Sequence, residues 1–380
     1  MSVTVDLETL RRKADAVVHA DLDDCLVRLN AEFGEIAGKT LLITGGAGFL
    51  GYYLVQSALH WNGSVSSADQ IDVTVIDNYS RGVPGWLAAL GGDRRLRLIE
   101  HDITQPLAAD CQAFDYVIHA ASIASPTFYR QHPIETMDAN VNGLRILLEL
   151  ARQRQHTERP VRGFLFFSSS EIYGDAEPSA IPTAETYPGR VSSTGPRACY
   201  DESKRFGETL CVNFANRYGI PVTIARPFNN YGPGLKITDR RIIPDLAQDL
   251  LNGRNLTLHS DGSPRRTFCY SADAIVGYYK VLTRGRSGEA YNIGQSGPEV
   301  SMKELAERLA SAAREVLGYN GSIVTKESTD SAYLTDNPQR RCPDVSKARR
   351  ELGFDAVVSL DEGLLRTLTW YAGNREGAYA

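Results

Sequence analysis

A tyrosine and a lysine are separated by three residues in the segment Tyr200-Asp-Glu-Ser-Lys204. On a helix this spacing places both side chains on one face. An ammonium group beside a phenol stabilises the phenolate and lowers the phenol pKa from its usual value of about 10. A phenolate near neutral pH accepts a proton from a sugar hydroxyl while hydride passes to an acceptor. The pair therefore predicts general-base chemistry coupled to hydride transfer, and the alternative is an ordinary surface tyrosine on a helix.

A glycine-rich segment predicts what accepts the hydride. The segment Gly46-Ala-Gly48-Phe49-Leu50-Gly51, preceded by Gly45, matches G-x-G-x-x-G between an apolar run and a helical segment. Glycines there permit a tight turn and let the backbone approach a pyrophosphate at a helix N-terminus. The sequence therefore predicts a dinucleotide site, and the alternative is a glycine turn that binds nothing.

The next apolar run ends in Asp77, whose carboxylate would accept hydrogen bonds from ribose hydroxyls and repel a 2′-phosphate. This favours NAD over NADP, although the nearby Arg81 weakens the preference slightly. An adenine contact is predicted at Asp102 and Ile103, after another apolar run. The full predicted cofactor set is Gly45, Gly48, Phe49, Leu50, Gly51, Asp77, Asn78, Asp102, Ile103, Ala120, Tyr200 and Lys204.

Short apolar runs that alternate with helical segments must position these residues. Runs at 40–44, 72–77, 116–119, 163–168 and 222–225 read as buried strands, with helices near 136–154 and 200–218. This rhythm predicts an α/β fold with a Rossmann-type doubly wound parallel sheet, covered by helices on both faces. Ser169 follows the fourth run, where the carboxyl ends of such strands meet ligands.

The chain is predicted to have three parts. Residues 5–36 have near-helical apolar spacing, which predicts an N-terminal helical extension over 1–38 that packs on the body or on a second copy. Residues 39–230 would form the NAD-binding Rossmann domain. Residues 231–380 would form a smaller α/β substrate domain, with some chain crossing back and with helices near 301–317 and 361–372.

Composition excludes several classes of protein. The chain has 380 residues with 42% hydrophobic residues and a net charge of −5, which argues against a nucleic-acid-binding protein. The charge-free stretch 40–68 is long enough to suggest a membrane span, but its five glycines and its polar residues fit a loop better. The six scattered cysteines lack a C-x-x-C pair, and no apolar signal segment is present. We expect a cytoplasmic protein with reduced thiols, no membrane partner and no metal.

Several motifs together resemble those of an extended short-chain dehydrogenase/reductase acting on nucleotide sugars. They are T-G-G-A-G-F-L-G, the segment Ser168–Gly174 (S-S-S-E-I-Y-G), Y-x-x-x-K and Arg226–Pro233 (R-P-F-N-N-Y-G-P), in family order. Three further stretches are most similar to those of UDP-glucuronate decarboxylases (UDP-xylose synthases): 119–133, 195–205 and 339–344. The resemblance covers about residues 39–372.

The resemblance implies a UDP-sugar substrate and a redox-neutral cycle of C4 oxidation, loss of carbon dioxide and re-reduction. It implies catalytic roles for Tyr200, Lys204, Ser169, Ser170 and Glu171, with Glu171 aiding proton delivery to C5 or only capping the following turn. Its implied substrate-binding residues are Tyr129, Arg197, Asn229 and Arg266, although Tyr129 is almost as compatible with a core aromatic.

Other functions stay open at this stage. A 4-epimerase, a 4,6-dehydratase or an apiose-type synthase of the same family would share the cofactor site and the Tyr-Lys pair. A protein that binds NAD without turnover would be expected to have lost Tyr200, Lys204 or Ser169, all of which are present. The family also implies a homodimer formed through helices near 136–154 and 200–218.

Overall fold

The central element of the fold is a parallel sheet. The structure, a computed structural model, describes residues 6–326, 335 and 337–375. Within them, seven parallel strands pair in the order β11-β6-β5-β4-β1-β2-β3. The strands are β1 (Thr40–Thr44), β2 (Asp72–Asp77), β3 (Leu96–Glu100), β4 (Tyr116–His119), β5 (Gly163–Phe167), β6 (Val222–Pro227) and β11 (Ala290–Ile293). Their apolar side chains are buried on both faces, which explains the almost continuous apolar runs in the sequence.

Helices cover both faces of this sheet. They connect successive parallel strands, as the crossover geometry of such sheets requires. The helices up to β6 are α1 (Leu7–Arg28), α2 (Asn30–Ile36), α3 (Gly51–Asn62), α4 (Gly85–Ala89), α5 (Pro126–Gln131), α6 (Pro133–Asp138), α7 (Leu144–Arg154) and α8 (Ala198–Tyr218). The helix predicted near 136–154 is interrupted by a π-helical turn at Ala139–Gly143, which separates α6 from α7.

The remaining chain forms three small sheets and further helices. Its strands are β7 (Asn230–Tyr231), β8 (Leu256–Leu258), β9 (Arg265–Arg266), β10 (Cys269–Tyr270), β12 (Val300–Ser301), β13 (Ile323–Thr325) and β14 (Arg340–Arg341). Its helices are α9 (Ile242–Leu251), α10 (Ser271–Arg284), α11 (Met302–Leu317), α12 (Ser346–Leu352) and α13 (Leu360–Gly373). Because β11 joins the edge of the central sheet beside β6, the chain returns to the first half after residue 231.

Two strands of the central sheet were missed by the sequence prediction. β3 carries Arg97 and Glu100 among its apolar residues, and β11 is a four-residue edge strand with a short apolar signal. The five predicted runs all lie in the sheet, and the fold class is confirmed. The division of the chain at residue 230 stays a prediction.

The N-terminal extension packs on the body of its own chain. Helix α1 lies against α13, α3 and α10. The buried carboxylate of Asp21 accepts hydrogen bonds from Tyr53, Tyr270 and Arg366, and that of Glu32 contacts Lys280. Burial of these carboxylates is tolerated because each is paired with donors from the body.

Candidate active site

One cavity collects nearly all of the predicted site residues. It has a volume of about 900 Å³, which lies toward the upper end for ligand pockets, and it lies at the carboxyl ends of the central strands. Of the predicted residues, all but Gly51 and Tyr129 line it. Ligands bind at this edge in doubly wound sheets, near the point between β1 and β4 where the strand order reverses.

The glycine loop at one end of the cavity leaves no room for side chains. Gly45 has a φ of +71°, and a Cβ there would lie 2.6 Å from the Ala121 backbone. A Cβ on Gly51, the first residue of α3, would lie 2.0 Å from the Gly46 carbonyl oxygen. The loop is therefore packed tightly against its own helix, with the helix N-terminus facing the cavity. This arrangement fits a dinucleotide pyrophosphate.

Asp77 connects the glycine loop to the strand that follows it in the sheet. One of its carboxylate oxygens accepts a hydrogen bond from the Ala47 backbone N–H at 3.0 Å and the other from the Tyr79 N–H at 2.9 Å. Burial raises the pKa of this carboxyl group above its usual range. Arg81 is engaged elsewhere, with its guanidinium group 3.0 Å from the Asp239 carboxylate and over the Phe128 ring. The Asp77 carboxylate thus lies at the predicted ribose position. Because Arg81 is paired with Asp239, it offers no free cation there for a 2′-phosphate, and this fits NAD.

Tyr200 and Lys204 lie in the cavity wall on α8. The Lys204 Nζ donates to the Phe167 carbonyl oxygen at 2.8 Å and lies 5.6 Å from the centre of the Tyr200 ring. Burial lowers the pKa of Lys204 to about 7 and raises the pKa of Tyr200 to about 12, the latter opposed by a hydrogen bond with Ser169. In the protein alone, burial therefore outweighs the effects that lower the Tyr200 pKa, and the lowering by Lys204 stays a prediction.

Tyr129, a predicted substrate-binding residue, is buried beside Tyr200. Its ring stacks on Tyr200 with centres 5.0 Å apart and an interplanar angle of 11°. Among the described residues, those that line the cavity include Tyr200 and exclude Tyr129, which is buried behind it. In the protein alone Tyr129 makes a packing contact with the Tyr200 ring, and its sugar contact stays a prediction.

Glu171 occupies the centre of an arginine cluster at the other end of the cavity. Arg341 binds both of its carboxylate oxygens at 2.7 Å, and Arg197 binds one of them at 2.5 Å. These cations hold the pKa of Glu171 below its usual range despite its burial. The predicted part of Glu171 in proton delivery stays a prediction. Ser169, rather than Glu171, caps the 3₁₀ turn that begins at Ser170.

Arg266 lies beside this cluster but is held differently. It donates to the carbonyl oxygens of Arg265, Pro338 and Gln339 and to the Asn337 side chain. Burial and the neighbouring Arg341 lower its pKa to about 9. Asn229 lines the same region and donates from its side chain to the Thr267 carbonyl oxygen at 2.9 Å. The structure thus brings Arg197, Arg266 and Glu171 together.

Arg341 and Arg241, which both line the cavity, were absent from the predicted site. Arg341 lies in the 339–344 stretch that carried the family resemblance, but its sequence gave no indication of which neighbouring arginine faces inward. Arg241 is paired with Asp239 at 2.5 Å, lies 5.7 Å from the centre of the Phe49 ring, and opposes the rise of the Tyr200 pKa. No sequence signal placed it near the glycine loop.

In the part of the chain that the structure describes, no helix combines the length and the apolar character needed to cross a lipid bilayer. Nor does any cluster of three or more His, Cys, Asp or Glu side chains have a geometry suited to a metal ion.

The sequence and fold match known proteins over most of the chain. Residues 41–294 match the model of the NAD dependent epimerase/dehydratase family. The chain is 37% identical over 335 residues to UDP-glucuronic acid decarboxylase 6 of Arabidopsis thaliana, covering 88% of this chain and 89% of that protein.

Two solved structures share the fold and carry bound cofactor. A dTDP-glucose 4,6-dehydratase from Streptomyces venezuelae with NAD bound superposes with a TM-score of 0.74 and 29% identity, covering 88% of this chain and 98% of that one. A UDP-glucuronic acid 4-epimerase from Bacillus cereus, in complex with UDP-glucuronic acid and NAD, gives 0.69 and 25%, covering 87% and 98%. The dinucleotide cofactor is NAD, and the chain belongs to the NAD dependent epimerase/dehydratase family.

Proposed function

We propose that this chain is an NAD-dependent decarboxylase that converts UDP-glucuronic acid to UDP-xylose or to the corresponding 4-keto-pentose. The observation that carries the proposal is the cluster of Arg197, Arg266 and Arg341 around the single carboxylate of Glu171, in the same cavity as Tyr200. Such a cluster suits a sugar that carries a carboxylate. Relatives that share 33–37% of the sequence over most of the chain are named UDP-glucuronic acid decarboxylases.

Tyr200 is the base in the proposed reaction. Its phenol oxygen takes the proton of the C4 hydroxyl, and the Ser169 hydroxyl holds that oxygen in place. NAD, when bound, would supply in its oxidised form the acceptor for the C4 hydride and a positive charge near Tyr200, and in its reduced form the same hydride for the final reduction. Burial, Glu171 and Asp201 raise the Tyr200 pKa, and cationic charge that enters the cavity beside Arg241 would favour the phenolate.

Loss of carbon dioxide follows from the chemistry of the oxidised sugar. A ketone at C4 makes the C5 carboxylate a β-keto acid, so the electrons of the C5–C6 bond pass toward the C4 oxygen as carbon dioxide leaves. The resulting enol then takes a proton at C5. The arginine cluster orients the substrate carboxylate before this step. The negative charge of Glu171 offsets part of the positive charge of the arginines, so that they do not bind the substrate carboxylate too strongly.

The proposal is tested by incubating the purified protein with UDP-glucuronic acid, with and without added NAD⁺. Carbon dioxide release and a mass loss of one carbon dioxide from the nucleotide sugar are expected. A new isomer of unchanged mass would replace the proposal with 4-epimerisation, the activity named for the Bacillus cereus neighbour. An unchanged substrate beside bound NAD would contradict both reactions.

We also propose a homodimer formed through α6, α7 and α8. Phe206 on α8 is 49% exposed and Ile134 on α6 is 59% exposed, and large apolar side chains exposed at one surface favour association. Phe206→Asp should convert the dimer to a monomer in light scattering, whereas Val357→Asp, at a distant exposed site, should not. A dimer that persists in the Phe206 variant would contradict this surface.

A cytoplasmic location is proposed as well. None of the six cysteines, all of which lie in the described part of the chain, forms a disulfide. Thiols that stay reduced are typical of a reducing compartment. Cell fractionation with detection of the protein in the cytoplasmic fraction is the expected result, and recovery from an oxidising compartment would contradict it.

A further inference from the structure

The loop of residues 78–84, which connects β2 to α4, forms part of the rim of the cavity. It starts directly after Asp77 and therefore lies at the cofactor end, and we call it the cofactor loop. Four of its residues line the cavity and are also exposed to solvent: Asn78, Ser80, Arg81 and Gly82. The loop thus lies at the mouth of the cavity.

The hydrogen bonds inside the cofactor loop are local. The Tyr79 N–H binds the Asp77 carboxylate, and the Gly82 N–H binds the Tyr79 carbonyl oxygen. The Ser80 N–H binds the Asn78 side chain. Gly82 has a φ of +79°, and a Cβ there would meet nothing within 4 Å. These bonds shape the tip of the loop, but they do not attach it to another part of the chain.

Arg81 attaches the cofactor loop to the smaller half of the chain by two contacts. Its guanidinium group lies 3.0 Å from the Asp239 carboxylate, and its backbone carbonyl oxygen accepts a hydrogen bond from the Lys236 ammonium group. Asp239 and Lys236 belong to residues 232–241, between β7 and α9, and both also line the cavity. One residue of the loop thus connects the two sides of the mouth.

The contact between Arg81 and Asp239 can open without leaving a buried charge unpaired. The Asp239 carboxylate is only 4% exposed, but Arg241 binds it as well, at 2.5 Å. The Asp239 carbonyl oxygen is held separately by the Ser125 hydroxyl at 2.6 Å. Arg81 is 39% exposed and lies over the Phe128 ring, so water and the ring receive its charge. A buried carboxylate that lost its only cation would be far more costly.

We propose that Arg81, Asp239 and Lys236 form a latch that holds the cofactor loop closed over the cofactor end of the cavity, and that NAD enters and leaves when this latch opens. The inference goes beyond the proposed function, because it requires NAD but not a particular sugar. In the proposed redox-neutral cycle, the latch keeps the reduced cofactor in place between the two hydride transfers.

A latch and a direct cofactor contact differ in their kinetics. The contacts of the latch are all made between protein groups, so weakening them favours the open loop whether or not the cofactor is bound. Entry and exit then become faster by the same factor, and the equilibrium affinity changes little. Loss of a side chain that binds the cofactor directly acts mainly on the dissociation rate, and the affinity falls with it.

The test follows NADH fluorescence in stopped-flow mixing with the full chain, stripped of cofactor on charcoal. Arg81→Met should raise the association and dissociation rate constants by about 10-fold each, the combined size of a partly exposed ion pair and a ring contact. The dissociation constant should change by less than about 3-fold. Arg94→Met is the matched control, at an exposed position before β3 that does not line the cavity, and should change neither rate. Melting temperatures establish that each variant is folded.

Asp239→Asn tests the other partner of the ion pair. It should also raise both rate constants, and the double variant with Arg81→Met should be little faster than either single variant, because both changes remove the same contact. If Arg81 acted by binding the cofactor, Asp239→Asn would release Arg81 for that role and slow dissociation.

Unchanged rates in the variants at 81 and 239 would overturn the latch. Faster dissociation with unchanged association in Arg81→Met, or fully additive effects in the double variant, would also overturn it and make Arg81 a cofactor contact. These rates are measured without a sugar. A protein with the expected rates that releases no carbon dioxide from UDP-glucuronic acid would therefore overturn the proposed function and support the latch.

Discussion

The two ends of the cavity are assembled in different ways. At the cofactor end, the glycine loop, the start of α3 and Asp77 are close in sequence and are fixed by backbone contacts, such as the Ala47 N–H bound to Asp77. At the substrate end, Glu171, Arg197, Arg266 and Arg341 come from four separate segments, and Glu171 is joined to Arg197 and Arg341 by side-chain ion pairs. The cofactor end is therefore defined by local backbone geometry, and the substrate end by the long-range pairing of short strands.

The junction between the ends should be the most sensitive position. Tyr200→Phe removes the proton acceptor, so carbon dioxide release should fall by about 10³-fold, within the range for general acid–base groups. Bound NAD and the melting temperature should change little, because the ring stays stacked on Tyr129. Turnover within tenfold of wild type would show that another group is the base.

A methyl group in the glycine loop should damage the cofactor end alone. Gly51→Ala places a Cβ 2.0 Å from the Gly46 carbonyl oxygen, and we expect a loss of about 3 kcal/mol in the free energy of unfolding, together with loss of co-purified NAD. Gly85→Ala is the control, since a Cβ there meets nothing within 4 Å. Denaturant unfolding measures the free energy of unfolding, and cofactor absorbance after gel filtration measures the bound NAD. Equal results for the two variants would contradict the inference that the glycine loop is tightly packed.

Lowering the pH should show how much His119 contributes to the pH dependence of stability. His119 lies at the end of β4, between the two ends of the cavity. Burial lowers its pKa to about 3, below the unfolded value of 6.5, so the unfolded chain binds more protons between these values and stability falls as pH falls. From pH 7 to pH 5 this residue should account for a loss of about 2 kcal/mol.

His119→Asn retains an amide that can contact Thr44, which is hydrogen-bonded to the His119 Nδ1 at 2.7 Å. Urea unfolding of both proteins at the two pH values measures the difference. A loss on acidification that is the same in the variant would show that other groups cause it.

The smallest effect is expected at Arg266. Arg266→Lys keeps the charge but loses the planar contacts with the 337–339 carbonyl groups, and we expect substrate affinity to fall by about 10-fold with NAD binding unchanged. Arg265→Lys, on the outer face, serves as the control in the same titration. Weaker NAD binding in the Arg266 variant would show that the two ends are not independent.

The difference between the ends also explains what the sequence could predict. The glycine loop, Asp77 and the Tyr200–Lys204 pair are each recognisable within a few residues, and the structure places them together. To predict that Arg341 lies in the site, one must know that β9 and β14 pair in register. No local pattern reveals this pairing, because two-residue strands carry no periodicity. The role of Tyr129 is open for a related reason, since an aromatic side chain in an apolar setting suits a pocket wall and a buried stack equally well.

The packing of α1 links the two walls of the cavity. The Asp21 carboxylate accepts hydrogen bonds from Tyr53 of α3, which begins at the glycine loop, and from Tyr270 and Arg366 in the half that carries β9 and β14. Residues before the first strand thus connect both walls, although the described cavity lining begins only at Gly45. A chain that begins at residue 39 would keep every described residue of the cavity lining and lose these hydrogen bonds between its two walls.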